Sequence, residues 1–160
     1  MSEFIIELIG SDDSAKEITV PFSDAETLQT LIDRVDEQAG VDGRSTVEAA
    51  LGLDGIVDDN RGLAGVAWPR EATRIRTALI EVHFETEHKR HRFLEHSKWA
   101  RVHQWSCKAF SVASDACVHL ELREGSPKGP PINERQEIGR HPECKIVWLV
   151  KPGPEPNGRR

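Results

Sequence analysis

The stretch Ala78-Leu79-Ile80-Glu81-Val82-His83-Phe84-Glu85 decides the fold. Its residues alternate, so an extended chain places Ile80, Val82 and Phe84 on one face. Residues 86–90 are a polar turn, and residues 91–96 return as a second strand around Phe93. Ser97 is an N-cap candidate for the helix that follows. Trp99, Val102, Ser106, Ala109 and Phe110 fall on one helical stripe, with Trp105 at its edge. A hairpin followed by a single helix laid across it is the opening of a β-grasp.

Downstream, Cys117-Val118-His119-Leu120-Glu121-Leu122 alternates and is expected to be a strand. Residues 125–131 form a Pro/Gly loop, and residues 133–139 a short turn. Lys145-Ile146-Val147-Trp148-Leu149-Val150 is nearly continuous in apolar residues, the pattern of a central strand covered on both faces. Trp99, Val102, Phe110, Leu120, Leu122 and Trp148 are the expected core.

Upstream, the same opening recurs. Phe4-Ile5-Ile6-Glu7-Leu8-Ile9 has strand length, and residues 10–14 are a turn cluster. Glu17-Ile18-Thr19-Val20-Pro21-Phe22 puts Ile18, Val20 and Phe22 on one face. Ser23 or Asp24 can cap a helix with Glu26 in its first turn. Leu28, Leu31, Ile32 and Val35 follow at helical spacing, and Gly40 ends the run. After Gly43 the pattern weakens. Residues 47–53 suit a helical turn or a strand, and no closing strand is legible. The expected architecture is α+β, with tandem β-grasp units over residues 1–75 and 76–151 and an extended Pro/Gly tail over 152–160.

Charge divides the chain at the same place. Residues 1–75 carry 16 Asp+Glu against 6 Lys+Arg, while residues 76–160 carry 11 against 15. All seven histidines and all three cysteines fall in the second part. Its basic excess is too small and too interrupted by Glu for a nucleic-acid stripe. The acidic part reads as a solubilising surface. Residues 1–9 hold two acidic side chains and no basic n-region, so no signal peptide is expected. No apolar run approaches the roughly 20 residues that span a bilayer. Cys107, Cys117 and Cys144 are odd in number and far apart, which reads as free thiols in a reducing, cytoplasmic setting.

The second unit resembles ubiquitin in element order and punctuation. The resemblance rests on His119-Leu120-Glu121-Leu122-Arg123-Glu124-Gly125, then Ile138-Gly139, then residues 145–150 and a tail. A tandem pair is similar to the interferon-induced two-domain modifier of vertebrates. It is closer to the BilA-type ubiquitin-like proteins of bacterial antiphage operons, which also encode activating, conjugating and deconjugating enzymes. The resemblance implies a protein modifier rather than an enzyme, with no catalytic group and no cofactor of its own. It implies that Gly158 is the residue whose carboxylate is adenylated, passed on as a thioester and joined to a target amine in an isopeptide bond. Arg159 and Arg160 are then a removable extension. Lys151, Pro152, Gly153, Pro154, Glu155, Pro156 and Asn157 form the tail that engages the enzymes. The implied partners are an adenylating enzyme, a conjugating enzyme with a reactive cysteine, a processing metallopeptidase and a target protein, with no nucleic acid and no membrane. The tail departs from ubiquitin in lacking a double glycine and in carrying prolines where arginines stand. Three prolines, lacking N–H and fixed in φ, make it a stiff, extended segment.

Two other readings stand beside this one. The chain could be a β-grasp adaptor that is never conjugated, with an ordinary terminus. It could also be a small metal or cysteine enzyme built on His88, His91, His96, His103 and Cys107. The metal reading is not favoured, because those residues straddle a turn, a strand and a helix. His103 and Cys107, spaced i, i+4, could form a nucleophile pair, although a buried thiol beside a surface imidazole is the simpler expectation.

Overall fold

A computed structural model describes residues 2–10, 13–52, 62–64 and 71–152. In chain order the elements are β1 (Ser2–Ile9), β2 (Ala15–Phe22), α1 (Leu28–Ala39), α2 (Gly43–Leu51), β3 (Thr73–Phe84), β4 (Glu87–Leu94), α3 (Trp99–Ala109), α4 (Ser114–Cys117), β5 (Glu121–Glu124) and β6 (Lys145–Val150). The strands form one mixed sheet.

β3 organises it. Its first residues run parallel to β1, from Ile6 opposite Thr73 to Ile9 opposite Arg76. Its later residues pair antiparallel with β4, from Thr77 opposite Leu94 to Phe84 opposite Glu87. They also pair in parallel with β6, from Ile80 opposite Lys145 to His83 opposite Trp148. β5 completes that side, antiparallel to β6. The order β4-β3-β6-β5, with the last strand parallel to the first of a hairpin and α3 between, is the pairing of a ubiquitin-like β-grasp. The architecture is therefore α+β, as the periodicity led us to expect, and β6 is central.

Two hydrophobic clusters lie along this sheet. One gathers Phe4, Ile6, Val20, Phe22, Leu28 and Leu31 with Ile75 and Leu94. The other gathers Ala78, Ile80, Val82, Phe93, Trp99 and Val102 with Leu122, Val147 and Leu149. Side chains alternate along a strand. Odd-numbered Ile75 and even-numbered Ala78 of β3 thus serve different clusters, as do Leu94 and Phe93 of β4.

The helix ends show how local sequence and tertiary structure divide the work. α1 starts one turn later than Ser23 or Asp24 implies. Its N-cap is Thr27, whose hydroxyl accepts from Thr30 N–H, while Glu26 accepts from Ser23 N–H at 2.7 Å. Gly40 ends it at φ 61°, a conformation that favours glycine. α3 begins after Lys98, not Ser97, and has no side-chain cap. Its first N–H groups donate instead to Gln136 and Glu134 carbonyls, each at 3.0 Å. The short turn read at 133–139 thus caps this helix, satisfying donors that a helix start leaves free.

One open reading is resolved and three expectations are corrected. Residues 47–51 are helical, in α2. The strand read at 117–122 begins only at Glu121, because residues 114–117 make the single turn α4. Trp148 is outside the core. Val147 and Leu149 point inward, so period two turns Trp148 to the opposite face, where Ile146 is 42% exposed. Finally, Cys107 and Cys117 are not free thiols but a disulfide. α4 brings the two together although they lie ten residues apart, which spacing alone does not show. Cys144 is free.

Candidate functional site

β6 ends at Val150. Lys151 and Pro152 follow it directly and are exposed. Of the tail assigned to enzyme contact, these two are described. Gly153, Pro154, Glu155, Pro156, Asn157, Gly158, Arg159 and Arg160 lie outside the described residues. The bases of the tail and of β6 border a cavity of about 750 Å³, lined by Phe84, Val112, Leu120 and Trp148 among others. Its walls are apolar because β3 ends there with Phe84 and β6 with Leu149 and Val150, and the α4 segment closes one side.

The face of the sheet that carries Trp148 is built from alternate residues of β4, β3 and β6. His83 stacks on Trp148 at 4.7 Å and on His88 at 5.2 Å. These are cross-strand neighbours in the ladder, His83 lying opposite both. Glu81, two residues back on the same face, accepts from Arg90 at 2.7 Å and bonds His83 Nε2 at 2.6 Å. The Arg90 guanidinium first, and then His83, hold the Glu81 carboxyl below its ordinary value. Ile146 adds an exposed apolar side chain beside this polar row.

The histidines read from sequence as a possible metal cluster are dispersed. His88 belongs to the stack just described. His91 stacks on Trp105 at 4.7 Å, 8° from parallel, and lies 3.6 Å from Asp36 of α1. His96 lines a separate pocket with Ile9 and Leu94. His103 and Cys107 do come together, and the structure adds Cys117, which the sequence argument had placed in a strand.

One residue pair had no sequence signal. Arg101 of α3 grips Asp42, ahead of α2, with Nε and Nη2 each 2.7 Å from one carboxylate oxygen. Asp42 is 1% exposed. Burial, the largest single effect, acts to lower the Arg101 pKa, but the hydrogen bond and charge of Asp42, together with the charges of Glu48 and Asp36, raise it on balance. The partners are 59 residues apart, so no local pattern could have joined them. With the bridge between Val41 and Arg92, the pair ties the α1–α2 region to the α3 region.

No protein-family model matches the chain, and no curated protein matches it. A similar solved structure is the solution structure of the N-terminal ubiquitin-like domain in the 4931431F19Rik protein. It is 17% identical, covers 64% of this chain and 93% of that one, and has a TM-score of 0.39. The reading of the fold rests on the strand order above. No helix among the described residues is long and apolar enough to cross a membrane.

Proposed function

We propose that the chain is a ubiquitin-like modifier, made of two β-grasp units that share β3, and that its chemistry is the carboxylate of Gly158. The supporting observation is the end of β6. The closing strand of the grasp is central in its sheet and releases the chain at exposed Lys151 and Pro152. A terminus delivered this way can enter a narrow enzyme channel without unfolding the body. Glycine suits the last position because a side chain there would crowd the channel. The upstream prolines reduce the entropy lost when an enzyme clamps the tail.

On this reading an adenylating enzyme activates Gly158 after a metallopeptidase has removed Arg159 and Arg160. A conjugating enzyme takes the acyl group on a cysteine and passes it to a target amine, in the setting of bacterial antiphage defence. The Trp148 face of the sheet docks these enzymes. The apolar cavity beneath the strand exit favours the second reading, a β-grasp adaptor that binds partners and is not conjugated. The two part in the native host. A tagged chain that forms heavier, reductant-resistant adducts, lost in Gly158→Trp, supports the modifier. Free chain alone, in wild type and variant, supports the adaptor.

A further inference from the structure

Between α3 and α4, the described residues bring one set of metal-ligating side chains together: His103, Cys107 and Cys117. His103 and Cys107 lie one turn apart on α3, at the i, i+4 spacing that puts both on one face. Cys117 ends α4 and is carried back to them by a hydrogen-bonded return, with Val112 N–H donating to Cys107 O at 2.7 Å and Cys117 N–H to Ala113 O at 2.8 Å. The ligand atoms of all three residues lie within 4.8 Å of one another. Cys107 is 4% exposed and the His103 side chain 11%.

The second observation is the surroundings of the imidazole. His103 Nδ1 lies 2.7 Å from Glu134 Oε2. A carboxylate accepting from one ring nitrogen orients the ring and leaves the other nitrogen to bind, the usual arrangement behind a metal-bound histidine. That other nitrogen, Nε2, faces Cys117, 2.8 Å from its carbonyl oxygen. In this structure the two sulfurs are bonded to each other, and a disulfide does not ligate a metal as thiolates do.

We propose that the reduced protein binds a thiophilic divalent cation of the zinc class at His103, Cys107 and Cys117, and that the Cys107–Cys117 disulfide is the metal-free alternative of the same site. The geometry of exchange is modest. Two thiolates at about 2.3 Å from a tetrahedral zinc lie roughly 3.8 Å apart, so the sulfurs separate by less than about 2 Å, within reach of side-chain rotation. Reduction needs two equivalents of a small thiol. The first attacks one sulfur and forms a mixed disulfide, the second releases it, and the products are two protein thiols and one small-molecule disulfide. Metal binding then displaces both thiol protons and the Nε2 proton that His103 donates to the Cys117 carbonyl, releasing all three to solvent, and Nε2 turns from that contact to the cation. Three protein ligands leave a fourth position for water. Two sulfurs and one imidazole select zinc or cobalt over magnesium or calcium.

The test uses the full chain, reduced with a phosphine, freed of reductant without oxygen and titrated with Co²⁺. The expected result is one Co²⁺ per chain, with a thiolate-to-cobalt charge-transfer band that Zn²⁺ abolishes by displacement. The disulfide form should show no band. Cys117→Ser should lose the band, and Glu134→Gln, which leaves every ligand in place, should weaken binding about tenfold or more. A reduced wild type without the band at one equivalent overturns the proposal. So does an undiminished band in the Cys107→Ser/Cys117→Ser double variant, or unchanged affinity in Glu134→Gln.

Discussion

The region around α1 and the region around α3 begin alike and finish differently. Each opens with an antiparallel hairpin crossed by a helix. Around α3 the described residues complete the grasp with β6 and β5. Around α1 the strand that runs parallel to β1 is the beginning of β3, whose remainder opens the next hairpin. One strand can do both jobs because its alternate side chains serve different clusters. The two regions therefore share β3, and the acidic one also depends on the basic one for Leu94 and for the Arg101 grip on Asp42.

The comparison breaks most visibly under core truncation. Phe4 and Phe93 are 1% and 0% exposed, one in each cluster. Changing either to alanine should cost roughly 3–5 kcal/mol. If the clusters are coupled through β3, each variant shifts a single transition followed by far-ultraviolet dichroism and by tryptophan fluorescence. Two separable transitions would show that the regions fold independently. Next in size is Arg101→Met, which leaves the Asp42 carboxylate buried without its cation. A loss of about 3 kcal/mol is expected, with Asp42→Asn adding little on top of it in a double-mutant cycle. Additive losses would mean that the pair does not join the two regions.

How far the sequence could be read follows from the same division. The hairpins and both main helices were legible, because period two and period 3.6 in the buried residues are local signals. The closing strand of the first region was not. Thr73 to Arg76 is half charged, and it reads as the lead-in to the strong alternation after it. The caps of α3 are carbonyls more than 30 residues downstream, so Ser97 looked like a cap and was not one. In β6 the run of apolar residues hid which face was inward, and the large Trp148 drew the assignment that belongs to Val147 and Leu149. The tail was read from composition and family resemblance alone, and most of it lies outside the described residues.

Smaller effects sharpen the β6 reading. Trp148 packs on His83 across the open face, so Trp148→Ala should cost less than about 2 kcal/mol, well below the value for a fully buried tryptophan. A denaturation midpoint lowered as far as in Phe93→Ala would return Trp148 to the core. The smallest effect concerns acid. The Glu81 carboxyl is held below its ordinary value of 4.5 by Arg90 and then His83. A carboxyl with a depressed native value stabilises the fold while ionised, and that contribution is lost as pH falls from about 4.5 through the native value. Glu81→Gln should flatten the stability profile there. An acid limb identical to wild type would show that the Glu81 row carries no stability.

The central claim is that the carboxylate of Gly158 is the reactive group. The most direct measurement incubates the 1–158 and 1–160 forms with ATP, the adenylating enzyme and the conjugating enzyme, and resolves the products with and without reductant. The account expects a reductant-sensitive thioester from the 1–158 form alone, since the 1–160 form ends in an arginine carboxylate. The Gly158→Trp form should give no adduct while keeping wild-type stability. No adduct from the 1–158 form, or equal adduct from Gly158→Trp, would contradict it and leave the adaptor reading standing.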